Sequence, residues 1–449
     1  MPKKQQPSIE ARTLKGFRDF LPRAALTRQR VIQTIVATYE SFGFVPLETP
    51  ALEYADILAG KYGDEGEKLM YRFRDQGGRE VALRYDLTVP LARVVGQQNE
   101  QELPRPFRRY QIAPVWRAEN TQKGRFREFT QCDADIVGSS SMLADAEIAL
   151  LIATALKKLS FTDYEVRLNN RKLLNGFLEA VKIPEERWLS TLRVLDKWEK
   201  IGADAVQSEL SAGMSGKQID ALFDLMPTDK EADDSGSWEK RIAKQMKKTS
   251  EGAEGLKELQ EVRTLIEAVG MDDVFRFDVL LARGLDYYTG TIFEAVLTNK
   301  PEFGSVFGGG RYDGLIGLFT GKEIPAVGVS AGIDRIVAAM AELELDEGGA
   351  STADVLVTIM EADDVQDMLK LAADLRNEGI KAELFYEPAR LDKQLKYADS
   401  RGIPLALILG SEEKSRREVA VKILAEKRQI KVRRGEIAKV IREILDEKE

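Results

Sequence analysis

Between Ala24 and Phe42, apolar residues fall at Val31, Ile32, Ile35, Val36, Tyr39 and Phe42, the spacing of one helix face, and Gly43 supplies a stop. An extended piece from Phe44 to Leu47 follows and ends near Pro50, which cannot donate to a sheet ladder and suits a strand edge or end. Strand-like runs recur around Val81 to Arg84, Arg109 to Arg117 and Thr130 to Val137. Strands joined by loops, with only occasional helices, predict a largely antiparallel sheet. From about Asn170 to Met271 the chain is rich in Lys, Glu, Leu and Ala at helical spacing, with a polar break at Asp233 to Ser237. This stretch reads as a helical insertion. Strand and glycine signals resume from Val274 to Val329, and a long helix is predicted from Gly332 to Glu344.

Asp346 to Thr352 has the look of a linker. After it comes a buried-strand run, Val355 to Met360, then a helix with Val365, Met368, Leu369, Ala372 and Leu375 on one face and Gly379 as terminator. A strand near Ala382 to Phe385, a helix from Leu391 to Ser400 and the strand Leu405 to Leu409 complete a βαβαβ order. That order predicts a compact, mostly parallel α/β domain. The expected divisions are a core in two parts, 1–170 and 272–345, an insertion at 171–271, a linker at 346–352 and a last domain at 353–449.

Composition narrows the chemistry. A chain of 449 residues exceeds what one core usually supports. No apolar run approaches the ~20 residues needed to span a bilayer. Lys3 and Lys4 precede no apolar stretch, so a cytoplasmic location is expected. The single cysteine, Cys132, excludes an internal disulfide and a multi-cysteine metal site. Zero histidines exclude a His-ligated zinc, a Ser-His or Cys-His pair and an imidazole proton shuttle. Any reaction must run on Arg, carboxylates, Tyr, Lys or a substrate group. The net charge of −8 leaves room for local basic patches. One comprises Arg105, Arg108, Arg109, Arg117, Lys123, Arg125 and Arg127; the other runs from Lys414 to Arg434 and reads as a solvated face.

Arg117 and Glu119, if on one strand, point to the same side, as do Phe129, Gln131, Asp133 and Asp135 on a returning strand. Arg grips phosphate bidentately, a carboxylate helps hold Mg²⁺, and an aromatic face stacks a base. Alone, Arg-x-Glu reads better as a surface ion pair. Its surroundings reverse that. The strand-loop-strand from Val115 to Asp135 resembles the second signature of class II aminoacyl-tRNA synthetases. Val31 to Pro50 resembles their first signature and Gly328 to Arg335 their third. Leu281 to Glu294, Gly308 to Leu315, Gly16 to Pro22 and Leu83 to Pro90 are similar to the histidyl-tRNA synthetase family within that class. Lys393 to Ala398 resembles its anticodon-binding domain.

The resemblance implies an α+β fold: a class II antiparallel-sheet catalytic core with a helical insertion, plus a C-terminal α/β anticodon-binding domain. It implies ATP-dependent attachment of L-histidine to its transfer RNA through a histidyl-adenylate, with Mg²⁺, in a homodimer whose interface includes the first signature. Histidine would be held by Asp86, Thr88, Arg117, Gln131, Asp135, Arg283, Tyr287 and Tyr288. ATP would sit on Arg117, Glu119, Arg125, Phe129 and Arg335, with Arg127 near the phosphates or the RNA end and Glu119 toward the metal. Arg117 and Arg283 are the catalytic candidates, stabilising charge on the α-phosphate as the substrate carboxylate attacks. Singly, Gly308–Gly310 reads as a tight turn and Arg283 as an ion-pair partner of Asp286 or Glu294. Tyr287 and Tyr288 read as strand packing, with at most one ring facing the pocket. In this order together, the functional reading prevails. Two rivals bind without charging: a regulatory subunit of ATP phosphoribosyltransferase, disfavoured by the retained arginines and by residues 355–449, and an RNA-sensing synthetase-like module.

Overall fold

A computed structural model describes residues 10–59, 63–121, 124–228, 235–282, 287–346 and 349–446. They divide into two compact units: one takes the residues up to Arg18 and from Val31 to Leu343, the other Asp19–Arg30 and the residues from Glu344 onward.

In the first unit the strands are β1 (Val45–Pro46), β2 (Leu52–Tyr54), β3 (Arg72–Arg74), β4 (Glu80–Leu83), β5 (Phe107–Trp116) and β6 (Glu128–Val137). They continue as β7 (Tyr164–Asn170), β8 (Phe275–Phe277), β9 (Thr291–Leu297), β10 (Ser305–Arg311) and β11 (Ala326–Gly332). Among the described residues one large sheet has the order β1-β5-β6-β11-β10-β9-β7-β8, and a small one has β2-β4-β3. Only the outermost pairs of the large sheet, β1 with β5 and β7 with β8, are parallel. The antiparallel expectation therefore holds for its centre.

The helix predicted from Ala24 spans Pro22–Ser41 (α1). Its Tyr39 hydroxyl donates to the Cys132 carbonyl at 2.9 Å, and the ring lies 6.1 Å from that of Tyr110. Helices Thr88–Gln97 (α2) and Met142–Lys158 (α3) are additional to those predicted from the sequence. For α3 the reason is burial on almost every side, since it packs on β6, β7, β9, β10 and β11. Ser141 caps it by accepting the Leu143 N–H. Because Tyr39 meets Tyr110 and Cys132, and strand side chains alternate, α1 covers one face of the sheet. Arg109, Gln111, Gln131, Asp133 and Asp135 point to the other. Helices fill the stretch between β7 and β8, from Arg171–Ala180 to Gly252–Glu267. Asp233 and Asp234 of the predicted polar break lie outside the described residues, and Ser235 opens the helix Ser235–Met246.

The second unit contains β12 (Val355–Val357), β13 (Ala382–Leu384), β14 (Leu405–Ile408), β15 (Glu418–Ile423) and β16 (Arg428–Arg433), in the order β13-β12-β14-β15-β16. β12 runs parallel to β13 and β14, whereas β15 pairs antiparallel with both β14 and β16. The mostly parallel expectation is thus corrected: two of the five strands form a hairpin drawn from the basic C-terminal stretch. Val419, Val421 and Ile423 are buried, but Lys and Arg on the other positions gave the segment the appearance of a charged run. Gln394, in the segment that resembles an anticodon domain, is a buried clamp. Its side chain donates to the carbonyls of Ile359 and Ala389 at 2.7 Å and accepts the Ile359 N–H at 2.9 Å.

Candidate active site

β5 and β6 form a hairpin in which Arg109 faces Asp135, Gln111 faces Asp133, Ala113 faces Gln131 and Val115 faces Phe129. β11 continues the rows, with Asp135 opposite Gly328, Asp133 opposite Ser330 and Gln131 opposite Gly332. β10 adds Gly310 beside Gly328 and Gly308 beside Ser330. Glycine is needed here for close approach. A Cβ on Gly328 would lie 1.9 Å from Asp135 Oδ1, and one on Gly310 would lie 3.0 Å from the Tyr288 ring. The sheet therefore presents polar groups from β5 and β6 beside a floor of backbone from β10 and β11.

Arg109 is 0% exposed. Its guanidinium meets Asp135 at 2.8 Å and donates to the Leu87 carbonyl at 3.1 Å. The Tyr312 hydroxyl donates to the other oxygen of Asp135. Gln131 donates through Nε2 to Ser330 Oγ at 3.0 Å, and Ser330 in turn bonds the Asp133 side chain. Gln131 Oε1, Asp133 Oδ1 and Asp135 Oδ2 are buried with no hydrogen-bond partner among the described residues, as are Nε and Nη1 of Arg109. Burial pushes the Asp133 carboxyl up to about 7; Arg109 and Ser330 pull it down, while Asp135 and Asp86 push it further up. Asp135 is raised as well, chiefly by burial and against the pull of Arg109.

Asp86 approaches from the segment before α2, where Oδ1 accepts the N–H groups of Thr88 at 3.1 Å and Val89 at 3.0 Å. Tyr287 and Tyr288 meet edge to face with ring centres 4.8 Å apart, and Tyr287 lies 6.2 Å from Tyr312. Both hydroxyls are held above their ordinary range, mainly by burial, and both feel Asp86 and Asp133. The expectation that strand alternation lets only one ring face the pocket is corrected, because β9 begins at Thr291 and the tyrosines sit in the turn before it.

Arg117 lies at the end of the hairpin, its guanidinium carbon 4.3 Å from the Tyr85 ring centre and 5.2 Å from that of Phe129. Its Nε donates to the Tyr85 carbonyl at 3.1 Å. Glu119 stands 4.0 Å from Arg117 and 3.7 Å from Arg125, while Arg127 donates to the Glu119 carbonyl at 3.2 Å. Arg335, in the helix Ile333–Glu342 (α4), donates to the Ser305 carbonyl at 2.6 Å. Arg283 lies outside the described residues, as does Lys123 of the first basic patch. Contacts thus link Asp86, Thr88, Gln131, Asp135, Tyr287 and Tyr288 around one recess, and Arg117, Glu119, Arg125 and Phe129 at the hairpin end beside it. Arg109, Tyr312 and Ser330 join the recess without having been expected there, and Asp133, set on this face by strand alternation, joins without an assigned role. The first patch is corrected too. Arg109 is buried under Asp135, Arg108 pairs with Glu147 and Arg105 with Glu100 at 3.1 Å, so these three form no free basic surface. Alternation already set Arg109 on the side of its cross-strand partner, which was the available signal.

Residues 16–336 match the family model described as histidyl-tRNA synthetase, and residues 354–444 match the one described as anticodon binding domain. The chain belongs to the histidyl-tRNA synthetase family. A histidine–tRNA ligase of Rhodopirellula baltica is 42% identical, over 93% of this chain and 94% of its own. Another, of Clostridium tetani, is 39% identical over 97% and 98%. The crystal structure of a histidyl-tRNA synthetase from Nostoc sp. PCC 7120 superposes with a TM-score of 0.89 at 32% identity, covering 97% of this chain and all of that one. A Bacillus halodurans structure described as an ATP phosphoribosyltransferase regulatory subunit/histidyl-tRNA synthetase shares the fold, with a TM-score of 0.72 at 22% identity. The family fold, an antiparallel-rich core with a C-terminal anticodon-binding domain, is the one observed.

Proposed function

We propose that the recess on β5, β6, β10 and β11 is where this chain performs its family's reaction, the ATP-dependent attachment of histidine to transfer RNA through a histidyl-adenylate. The observation that carries this reading is the buried polar set Gln131, Asp133, Asp135, Arg109 and Tyr312, adjoining an arginine held between two aromatic rings. A recess lined with carboxyls and tyrosine hydroxyls rejects amino acids that leave those groups unpaired. Asp135 with Tyr288 would meet the imidazole, and Asp86 with Thr88 the ammonium. Phe129 offers a face to the adenine, Arg335 its cation to the phosphates, and Arg125 lies at the outer rim.

The reaction needs no protein base. The substrate carboxylate oxygen bonds to the α-phosphorus of ATP as the bond to the bridging oxygen breaks, and diphosphate leaves with that electron pair. Arg117, fixed by the Tyr85 carbonyl, is poised to hold a non-bridging oxygen whose charge grows in the transition state. Arg283 is the proposed second cation. A ribose hydroxyl of the RNA end then attacks the adenylate carbonyl and AMP departs.

Mg²⁺ fits one carboxylate plus phosphates. Among the described residues no three metal-binding side chains cluster, and the arginines near Glu119 stand at 3.7 and 4.0 Å, too far to saturate its oxygens. Glu119 would therefore hold the ion against ATP, where it offsets phosphate charge. A homodimer is supported by exposed apolar residues on sheet edges: Val45 on β1 of the large sheet is 50% exposed, and Leu52 and Tyr54 on β2 and Phe73 on β3 of the small sheet lie open as well. A cytoplasmic location belongs to the same reading; no helix among the described residues is long and apolar enough to cross a membrane.

The test is histidine-dependent exchange of pyrophosphate into ATP, measured with each amino acid in turn. Exchange with histidine above all others, and its loss by about 100-fold or more in Arg117→Gln, is expected. No exchange with any amino acid would leave a binding module, as in the two rivals.

A further inference from the structure

The recess holds one carboxyl that the assigned roles leave unused. Asp133 is 2% exposed, and its Oδ1 has no hydrogen-bond partner among the described residues. Its other contact is Ser330, whose Oγ already receives Gln131 Nε2 at 3.0 Å. The relay runs from Gln131 to Ser330 to Asp133 and fixes both ends. It leaves Gln131 Oε1 and Asp133 Oδ1 as neighbouring acceptors on the same side of β6, each requiring a donor.

The surroundings say which donor. The groups facing Asp133 are Arg109 on β5, Asp135 on β6, Asp86 before α2, Tyr287 and Tyr288 before β9, and Ser330 on β11, with Tyr39 of α1 behind the sheet. Among the described residues Arg109 is the cation of this set; its Nη2 is engaged by Asp135 and the Leu87 carbonyl, while its Nε and Nη1 are buried without a hydrogen-bond partner. Asp86 already gives Oδ1 to two backbone N–H groups. Among the described residues carboxyls thus outnumber cations, and a group carrying positive charge and several N–H donors satisfies the excess. The α-ammonium of an amino acid is such a group; the neutral imidazole carries one N–H and no charge.

We propose that Asp133 is a further substrate-binding residue, which with Gln131 joins Asp86 and Thr88 in holding the α-ammonium of histidine. This rests on the reading of the recess as the histidine site. The free carboxyl is raised to about 7, so it is largely protonated in mildly acidic solution, and the arriving ammonium favours its ionised form. Binding of histidine then releases a proton from Asp133 below that pH, and affinity improves as pH rises toward it.

Asp133→Asn keeps the shape and the bond with Ser330. It is expected to raise the KM for histidine by about 10- to 100-fold, the scale of one charged hydrogen bond, while the KM for ATP and kcat move less than about threefold. Its histidine KM should also depend less on pH between 6 and 8 than that of the wild type. Competition separates the ammonium from the ring. Histidinol, which keeps both, should weaken in Asp133→Asn by the same factor as histidine, whereas imidazolepropionate, which lacks the ammonium, should not. Equal weakening of both analogues, or a histidine KM and pH profile like the wild type, would overturn the proposal. If Asp133→Asn does not fold, Ser330→Ala releases the same carboxyl and is held to the same analogue comparison. Wild-type exchange with histidine is the control; its absence would sink the functional reading itself rather than this residue's part in it.

Discussion

Asp133, Asp135 and Arg109 share one constraint: carboxyls and a guanidinium removed from water with few partners. Arg109 is the buried cation between them, so Arg109→Met should cost about 3–5 kcal/mol of stability, read from urea unfolding, because it strands buried carboxyls. The pH dependence has a definite sign. A carboxyl raised from 3.8 to about 7 in the fold stabilises the native state fully below its unfolded value and loses that contribution as pH rises through 7. Wild type should therefore lose stability across that window, and Asp133→Asn should show a shallower slope; equal slopes would place the titration elsewhere. Gly328→Ala should abolish amino-acid activation, since the methyl would occupy the place of Asp135 Oδ1. At this scale the sequence was partly legible. Gln131 and Asp135 were readable from the signature that contains them, whereas Arg109 looked like one cation in a basic run. Its burial follows from pairing across the β5–β6 hairpin, a relation that depends on register rather than on local composition.

The hairpin loop is held by contacts distant in sequence. Arg18 pairs with Asp334 and stacks 3.3 Å from the centre of the Phe126 ring, and the Arg127 N–H donates to the Gly16 carbonyl at 2.9 Å. Asp334 also accepts the Thr130 N–H at 3.3 Å. Arg18→Ala should loosen the loop that carries Glu119 and Arg125, raising the KM for ATP about 10-fold while changing stability by about 1 kcal/mol or less, because the pair is partly exposed. An unchanged KM would mean the loop holds its place without the N-terminal residues. α1, with one wet face, was readable from periodicity. α3, buried on nearly all sides, was not, and β15 and β16 were hidden by their charged positions.

Taken whole, the chain forms two units, with two sheets in the first and one in the second among the described residues, and a division of labour between them is expected. In the second, Tyr386 is 91% exposed and Arg390 stands open just before the helix Leu391–Arg401. Within a domain of the anticodon-binding family these are groups able to stack on bases, worth about 1–3 kcal/mol for each base. Tyr386→Ala should raise the KM for transfer RNA roughly 10-fold and leave pyrophosphate exchange untouched. A fall in exchange would contradict a division of labour. The absence of histidine from all 449 positions also means that translating this chain draws on none of the charged product it supplies. The most direct test of the central claim is a crystal structure with a non-hydrolysable histidyl-adenylate analogue. The imidazole should lie between Asp135 and Tyr288, the ammonium at Asp86, Thr88, Asp133 and Gln131, and the adenine on Phe129. A ligand bound away from β6, or bound there with its amino acid pointing out of the recess, would contradict the account.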